Sequence, residues 1–210
     1  VFERAGDRVL VLMSAGNLAI TQAVINILRE HAAVQDRQSL WSAPTMFECA
    51  RLVGDTIRRV HQRDAEALQQ FGVEFNASFI LCGQIADEPP RLFSIYAAGN
   101  FIEASSDTPY FQIGESKYGK PIVDRVVNCR TSLDEAAKCA LISMDSTIRS
   151  NLSVGLPLDL LIYRRDSLKV TRHVSIDGDN PYFDMIHNQW GANLRRVFAE
   201  LPDPDWATWP

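Results

Sequence analysis

The amino-acid sequence predicts an α+β fold in which helices cover two sheets, or one large sheet. Three observations lead to this class. Apolar residues recur at helical spacing in several long segments, they alternate with period two in several shorter ones, and the helices come in groups separated by runs of strands. The 210 residues fit one domain, and no linker or repeat divides them.

The chain opens with a strand and two helices. Residues 9–13 (VLVLM) predict a buried strand that Ser14-Ala15-Gly16 ends, and a helix follows from about Asn17. A second helix begins near Thr45, where Thr45 and Glu48 have the spacing of a capping box. Its apolar stripe, predicted to be buried, comprises Met46, Ala50, Val53, Ile57 and Val60.

The middle of the chain predicts strands. Residues 75–82 alternate between two faces, as a half-buried strand does. Residues 92–96 and 101–104 indicate a hairpin around Gly99-Asn100. Residues 110–113 are predicted to form another short strand.

Two helices and a second hairpin follow. One helix is predicted over residues 116–127, and the next starts at Ser132, where Glu135 completes a second capping box. Residues 158–163 and 168–173 then predict the hairpin.

The last predicted element of the chain is a helix. Asn180 can cap its first turn, and Pro181 occupies the first helical position that proline favours. A Pro-rich tail beyond residue 201 cannot continue the helix. Its predicted buried side comprises Phe183, Ile186, Trp190, Leu194, Val197 and Leu201.

Composition excludes some classes of function and indicates a compartment. The net charge of -5 argues against a nucleic-acid-binding face, which needs clustered Lys and Arg. No apolar run reaches the roughly 20 residues of a membrane helix. The four cysteines form no Cys-x-x-Cys pair, so we expect reduced cysteines in a cytoplasmic protein. Because the chain starts at Val1 without an initiator Met, we expect a fragment, a processed form or an incomplete record.

Three short motifs stand at the junctions of predicted elements. The tripeptide Ser14-Ala15-Gly16 joins the first strand to the first helix. A glycine- and serine-containing loop covers residues 112–119 (QIGESKYG) before the third helix. Residues 149–155 (RSNLSVG) follow the fourth helix. Each motif alone is moderately specific, but their order along the chain is a stronger signal.

This pattern resembles the proteasome β-subunits over nearly the whole chain, and most closely the bacterial ancestral β-subunit (Anbu) group. The resemblance implies a four-layer αββα sandwich of the N-terminal-nucleophile hydrolase type. It further implies that residues 1–210 are a single proteasome-type domain lacking its N-terminal hairpin. In that family an N-terminal Thr attacks the peptide carbonyl, and its own α-amino group acts as the base.

The resemblance also implies roles for individual residues. The backbone amide of Gly16 would stabilise the oxyanion. Ser116 and Ser153 would be hydrogen-bond partners near the nucleophile's amine. The family's substrate pocket would map near Ser14 and Leu18. Each role has an ordinary structural alternative as well, since a glycine suits a strand-to-helix turn and a serine suits a helix end.

Two departures from the family pattern bear on activity. The family's Thr, Asp and Lys lie on strands that these residues do not contain, so no nucleophile can be named here. Ser150 occupies the catalytic-motif position where the family carries Asp, and a neutral hydroxyl cannot stabilise a cationic amine as a carboxylate does. The loop at Ser116 is shorter than in proteasome subunits, so Glu115 is an alternative for that position.

Two other kinds of site are only partly matched by the sequence. Gly114, Gly119 and Lys120 fit most of a phosphate-binding loop, but Pro121 stands where a magnesium-binding Ser or Thr is required. The four histidines lack the spacing of metal ligands. We therefore predict no metal site and no cofactor.

Two functions remain open from the sequence. The first is a threonine-type peptidase that acts on peptides or unfolded proteins within a homo-oligomer, as a ring or an open spiral. The second is a non-catalytic assembly subunit of the same fold. The tail tryptophans Trp206 and Trp209 add weak support for self-association. No unfoldase partner, nucleic acid or membrane is identified as a partner.

Overall fold

A computed structural model describes residues 1–34 and 38–208. The first half of the chain forms one antiparallel sheet with strands in sequence order, and two helices cover one of its faces. In chain order the elements are β1 (Phe2–Arg4), β2 (Arg8–Gly16), α1 (Leu18–Ala33), α2 (Met46–Gln70), β3 (Ala77–Ile85), β4 (Arg91–Ile95) and β5 (Phe101–Glu103).

The second half forms a smaller sheet and three helices. Two antiparallel strands make up this second sheet, the last two helices pack on its outer face, and the first of the three packs against the second. The elements are α3 (Lys120–Val126), α4 (Leu133–Ser150), β6 (Leu158–Ile162), β7 (Arg172–Ile176) and α5 (Pro181–Glu200), followed by a 3₁₀ turn at Trp206–Thr208.

The alternation of strand residues decides what each face of the first sheet contacts. Leu10 of β2 and Phe79 of β3 point to α1 and α2 and are fully buried. Their neighbours Val11 and Cys82 point the other way and line a cleft of about 630 Å³. The strands β2 and β3 pair over their whole lengths, from Arg8 opposite Ile85 to Gly16 opposite Ala77.

The second sheet repeats this two-sided pattern. Leu158 and Leu160 of β6 pack against the core of α4 and α5. Leu161 and the following Tyr163 line the same cleft as Val11 of the first sheet. The layers are therefore helix, sheet, sheet and helix, and the predicted α+β four-layer sandwich is confirmed.

A buried amide fastens the two sheets to each other. The Oε1 of Gln84 accepts hydrogen bonds from the hydroxyl of Tyr163 at 2.6 Å and from the backbone N–H of Asp166 at 2.8 Å. Its Nε2 donates to Asp166 Oδ1 and to the carbonyl of Glu88, both at 2.7 Å. With its side chain fully hydrogen-bonded, Gln84 satisfies the requirement for burying an amide.

Most of the helix predictions are confirmed. All five residues of the predicted α2 stripe are fully buried. Ser132 and Glu135 make both hydrogen bonds of a capping box, and Asn180 caps α5 ahead of Pro181. At α2 only one of the two bonds forms: Thr45 accepts from the N–H of Glu48, whose carboxylate instead binds Arg51.

Several boundaries differ from the prediction. The first strand runs on through Ser14 to Gly16, and β1 was not predicted. Residues 110–113 form no strand, because no strand in the described part of the chain pairs with them. The third helix starts at Lys120 rather than at residue 116, and Pro121 in its first turn suits that start.

The second hairpin is displaced by four residues on its return strand. Leu168 has a φ of +42°, which no strand residue adopts, and its carbonyl accepts a hydrogen bond from the N–H of Gly6. The next residues lie against the edge of the first sheet, where the N–H of Val170 donates to Glu3. Strand β7 therefore begins at Arg172 instead of residue 168.

The prediction of one buried side along α5 is wrong for its second half. Phe183 and Ile186 are buried against α4, whereas Leu194, Val197 and Leu201 are about half exposed or more. The second half of the helix therefore extends beyond the residues of the domain that could bury its apolar side chains. Of the two tail tryptophans offered as support for self-association, Trp206 is 70% exposed, and Trp209 lies outside the described residues.

Replacing Gly54 by Ala tests the contact between α2 and the β4–β5 turn. A Cβ at Gly54 would lie 2.2 Å from the carbonyl oxygen of Gly99, so the helix and the turn would have to separate. We expect Gly54→Ala to lower the free energy of unfolding by about 1–3 kcal/mol in urea denaturation. Gly191→Ala in α5 is the control, since its nearest neighbour atom is 3.6 Å away. It should raise stability by up to about 1 kcal/mol, and equal effects would contradict this packing.

Thiol reactivity tests the burial of the cysteines. All four are free, and burial raises the pKa of Cys49 to about 12 and that of Cys82 to about 11. Burial also raises the pKa of Cys139, whereas Cys129 is exposed. Because the thiolate is the reactive form, we expect one fast-reacting thiol in the native protein at pH 8. Cys129→Ser should abolish the fast phase, and a second fast thiol would contradict the structure.

Candidate functional site

The first motif forms a sharp turn from β2 into α1. Gly16 has a φ of +109°, and a Cβ there would lie 2.5 Å from the carbonyl oxygen of Asn76. The same oxygen accepts a hydrogen bond from the N–H of Asn17 at 2.8 Å. The side chain of Asn17 caps α1 by accepting from the N–H of Ala19 at 2.9 Å. Only glycine fits this position without moving the backbone.

The turn presents its side chains to solvent. Ser14, Gly16 and Leu18 are exposed, and the side chain of Leu18 is 68% exposed. Met13, which precedes the motif, is 47% exposed and lines a cleft beside it of about 370 Å³. An apolar side chain on each side of an accessible backbone turn can contact a peptide that lies along it.

The second motif lies directly against the first. A Cβ at Gly114 would be 3.5 Å from the Cβ of Ala15, which is van der Waals distance. Gly114 itself has a φ of +78° and turns the chain toward Glu115. The loop that contains residues 112–119 therefore borders the strand-to-helix turn.

A chain of hydrogen bonds joins the second motif to the third. One carboxylate oxygen of Glu115 accepts from the N–H of Lys117, and the other accepts from Asn151 Nδ2, both at 2.9 Å. The Oδ1 of Asn151 accepts from the N–H and the hydroxyl of Ser153, at 2.9 and 2.6 Å. All three motifs thus meet at one end of the two sheets.

The hydrogen bonds fix the polarity of the Ser153 hydroxyl. Because its proton is donated to Asn151, the oxygen of Ser153 keeps its lone pairs for an incoming donor such as an amine. No His or Lys lies within five residues of Ser153 in the sequence. Two of the four histidines pair elsewhere, His187 with Asp145 and His173 with Asp159. The cluster therefore offers hydrogen bonds and a carboxylate rather than a nucleophile with its own base.

The other two predicted serines lie beside the cluster. Ser116 accepts a hydrogen bond from the N–H of Lys120 through its backbone carbonyl, at 3.0 Å. Ser150 is the last residue of α4 and is exposed. Within residues 1–34 and 38–208, neither serine side chain makes a hydrogen bond.

Sequence reasoning missed Asn151 as a member of the site. It follows the last residue of α4, and its amide bridges Glu115 and Ser153, which are distant from each other in the sequence. The sequence offers Glu115 as an alternative to Ser116, and it is Glu115 that the hydrogen bonds connect to the third motif. The one sequence feature that points to Asn151 is its position as a polar residue two places before Ser153.

An ion pair on α3 borders the second motif. Both carboxylate oxygens of Asp124 accept from Lys120 Nζ at 2.8 Å, and the Tyr110 hydroxyl also donates to Asp124. These contacts lower the pKa of Asp124 and raise that of Lys120. The pair is exposed and neutral overall, so it adds little net charge to the motif loop.

The described residues lack two other kinds of site. They contain no group of three or more His, Cys, Asp or Glu side chains that could hold a metal ion. In the same part of the chain, no helix has both the length and the apolar character needed to cross a membrane.

The fold and sequence are similar to solved structures of Anbu proteins. The protein described as Anbu (ancestral beta-subunit) from Yersinia bercovieri is 51% identical, with a TM-score of 0.91, over 98% of this chain and 85% of that one. Anbu from Hyphomicrobium sp. strain MC1 is 49% identical, with a TM-score of 0.87, over 97% and 84% of the two chains.

Two further relatives extend the comparison. A structure described as the helical assembly of the Anbu complex from Pseudomonas aeruginosa is 48% identical, with a TM-score of 0.93, over 99% of this chain and 86% of that one. A curated proteasome subunit beta from Haloquadratum walsbyi is 27% identical over 163 residues, which are 77% of this chain but only 60% of that subunit. No family model matches the sequence.

Removing the Asn151 amide tests the connection between the second and third motifs. Asn151→Ala removes the donor to one oxygen of the Glu115 carboxylate, so we expect a loss of about 1 kcal/mol in the free energy of unfolding. Hydrogen exchange should become faster in residues 113–117. Ser150→Ala is the neighbouring control and should change stability by less than about 0.5 kcal/mol. Unchanged exchange in Asn151→Ala would contradict the connection.

Proposed function

The chain belongs to the Anbu (ancestral beta-subunit) family of proteasome-like proteins, and on that premise we propose that it is a peptidase subunit. It would hydrolyse bonds in peptides or unfolded proteins through an N-terminal Thr. One observation carries the proposal: three motifs from distant parts of the chain meet beside an exposed strand-to-helix turn.

Each member of the cluster has a role in this proposal. The backbone amide of Gly16 donates to the oxyanion, which forms when the carbonyl carbon becomes tetrahedral. Ser14 and Leu18 contact the substrate side chain. The lone pairs of Ser153 accept a hydrogen bond from the nucleophile's α-amino group and orient it for proton transfer.

Glu115 supplies the negative charge that Ser150 cannot. In the family pattern a carboxylate at position 150 would stabilise the protonated amine, and a hydroxyl has no charge to offer. The Glu115 carboxylate reaches the cluster through Asn151, whose amide links it to Ser153. Catalytic roles for Ser116 and Ser150 remain predictions; each is the sequence neighbour of a member of this chain of hydrogen bonds, Glu115 or Asn151.

The nucleophile would come from an N-terminal hairpin outside these 210 residues, which form the rest of a single proteasome-type domain. A cleft of about 370 Å³ lies between the first sheet and α4, lined by Met13 and Ile80 on one side and by Ala140 and Met144 on the other. Gln112 also lines it, and its buried Oε1 accepts no hydrogen bond within the part of the chain that the structure describes. The apolar walls and this acceptor suit a strand packed between them.

The subunit is proposed to work within an assembly of identical copies in the cytoplasm. The matches cover 84–86% of the solved Anbu chains, so those chains have residues outside the aligned part. We propose a homo-oligomer, as a ring or an open spiral, because the Pseudomonas aeruginosa relative is described as a helical assembly. The four free cysteines fit the reducing cytoplasm.

A peptidase assay on the protein with its N-terminal Thr exposed tests the proposal. We expect hydrolysis of fluorogenic peptides, together with one covalent adduct of an electrophilic peptide per chain by intact mass. Replacing that Thr by Ala should abolish both signals. The 210 residues alone should be inactive.

Substitutions within the 210 residues distinguish the proposed peptidase from a non-catalytic assembly subunit. Ser153→Ala should lower kcat by about a hundredfold or more, because the amine loses the group that orients it. Ser175→Ala, an exposed serine on β7, is the control and should be neutral. If no peptide is cleaved and no adduct forms, the non-catalytic assembly subunit is the correct reading.

A further inference from the structure

Leu152 is the most exposed large apolar residue in the part of the chain that the structure describes. It is 106% exposed, which is as open to solvent as in an unfolded peptide. A single exposed leucine is ordinary on a protein surface, so its position decides whether it has a role. Leu152 stands between Asn151 and Ser153, the two residues of the third motif that the chain of hydrogen bonds connects.

A tight turn holds Leu152 in this place. The N–H of Val154 donates to the carbonyl of Asn151 at 3.2 Å, which closes a turn with Leu152 as its second residue. The Oδ1 of Asn151 accepts from the N–H of Ser153 at 2.9 Å, and its Nδ2 donates to Glu115, also at 2.9 Å. The backbone on both sides of Leu152 is therefore fixed by hydrogen bonds, and its apolar side chain is held out beside the site.

The chemistry of the proposed function brings the leaving half of a substrate to this turn. When the Thr oxygen bonds to the carbonyl carbon, its proton passes to the α-amino group that Ser153 orients. The carbon–nitrogen bond then breaks, its electron pair stays on the nitrogen, and the same proton is transferred to that nitrogen. Each of these two contacts of the amine is a hydrogen bond of about 3 Å, so the leaving nitrogen lies within about 6 Å of the Ser153 oxygen.

The two exposed leucines of the site therefore face opposite halves of the substrate. Leu18 is two residues after Gly16, whose amide binds the carbonyl oxygen, and it contacts the residue before the scissile bond. Leu152 directly precedes Ser153, so it lies beside the amine and the residue after the scissile bond.

From this arrangement we propose that Leu152 determines specificity on the leaving side of the substrate, where it selects an apolar side chain directly after the scissile bond. The inference rests on the proposed peptidase function and names a substrate class for it. An apolar side chain that packs on Leu152 removes both from water, which is favourable. A charged side chain at the same place would lose part of its hydration against a leucine that offers no hydrogen bond.

Peptides that differ only in the residue after the scissile bond measure this preference. For the protein carrying the proposed N-terminal Thr, we expect kcat/KM to be about tenfold higher with leucine than with glycine there, the low end of what an apolar contact supplies. Peptides with lysine or aspartate at that position should both be cleaved more slowly than the leucine peptide. Leu152→Ala should reduce the leucine-to-glycine ratio to about twofold or less.

Two controls separate specificity from a structural effect. Leu18→Ala is the matched leucine variant, and it should change the preference before the scissile bond while the ratio after it stays the same. A peptide aldehyde ends at its reactive carbonyl and has no leaving side, so its rate of adduct formation should differ by less than about twofold between Leu152→Ala and the unaltered protein. Leu152→Ala should also keep the melting temperature, because the side chain is not buried.

The outcomes distinguish this inference from the proposed function. If peptides are cleaved without a preference after the scissile bond, or if Leu152→Ala keeps the preference, the role of Leu152 is rejected while the peptidase stands. The role is equally rejected if Leu152→Ala changes only the sedimentation coefficient, since a second copy then covers the leucine. If no peptide is cleaved and no adduct forms, both are rejected. Loss of the preference in Leu152→Ala with unchanged adduct formation supports the inference.

Discussion

The hydrogen bond from Asn151 to Glu115 is the contact on which the candidate site depends. It joins the loop before α3 to the turn after α4, and these segments are separated by the whole of both helices. The Ser153 hydroxyl takes its orientation from the same Asn151 side chain. Without this bond the third motif would lose its connection to the second, and Asn151, which orients the Ser153 hydroxyl, would lose the partner that holds its own side chain.

The rest of the architecture brings those loops to one place. The β2–β3 ladder ends with Gly16 opposite Ala77, so strand pairing determines where the turn into α1 stands. Gln84 then holds the second sheet against the first through Tyr163 and Asp166. The cleft between the sheets is lined by apolar side chains from both, among them Val11 of the first sheet and Leu161 of the second.

Sequence patterns predicted the features that depend on neighbouring residues. The α2 stripe and the caps at Ser132 and Asn180 follow from periodicity and local hydrogen bonding, and the structure confirms them. Features that depend on distant partners were missed. Residues 110–113 have the composition of a strand but no strand to pair with among the described residues, and the exposed end of α5 has the pattern of a buried helix but no domain beneath it. The family resemblance supplied the motifs, but the Glu115–Asn151–Ser153 chain required coordinates.

The most direct test is a structure of the protein, carrying the proposed N-terminal Thr, bound covalently to an electrophilic peptide. In that complex we expect the oxygen of the adduct to lie about 3 Å from the backbone nitrogen of Gly16, with the amine of the Thr hydrogen-bonded to Ser153. A peptide bound away from Gly16, or a Gly16 N–H directed away from that oxygen, would contradict it.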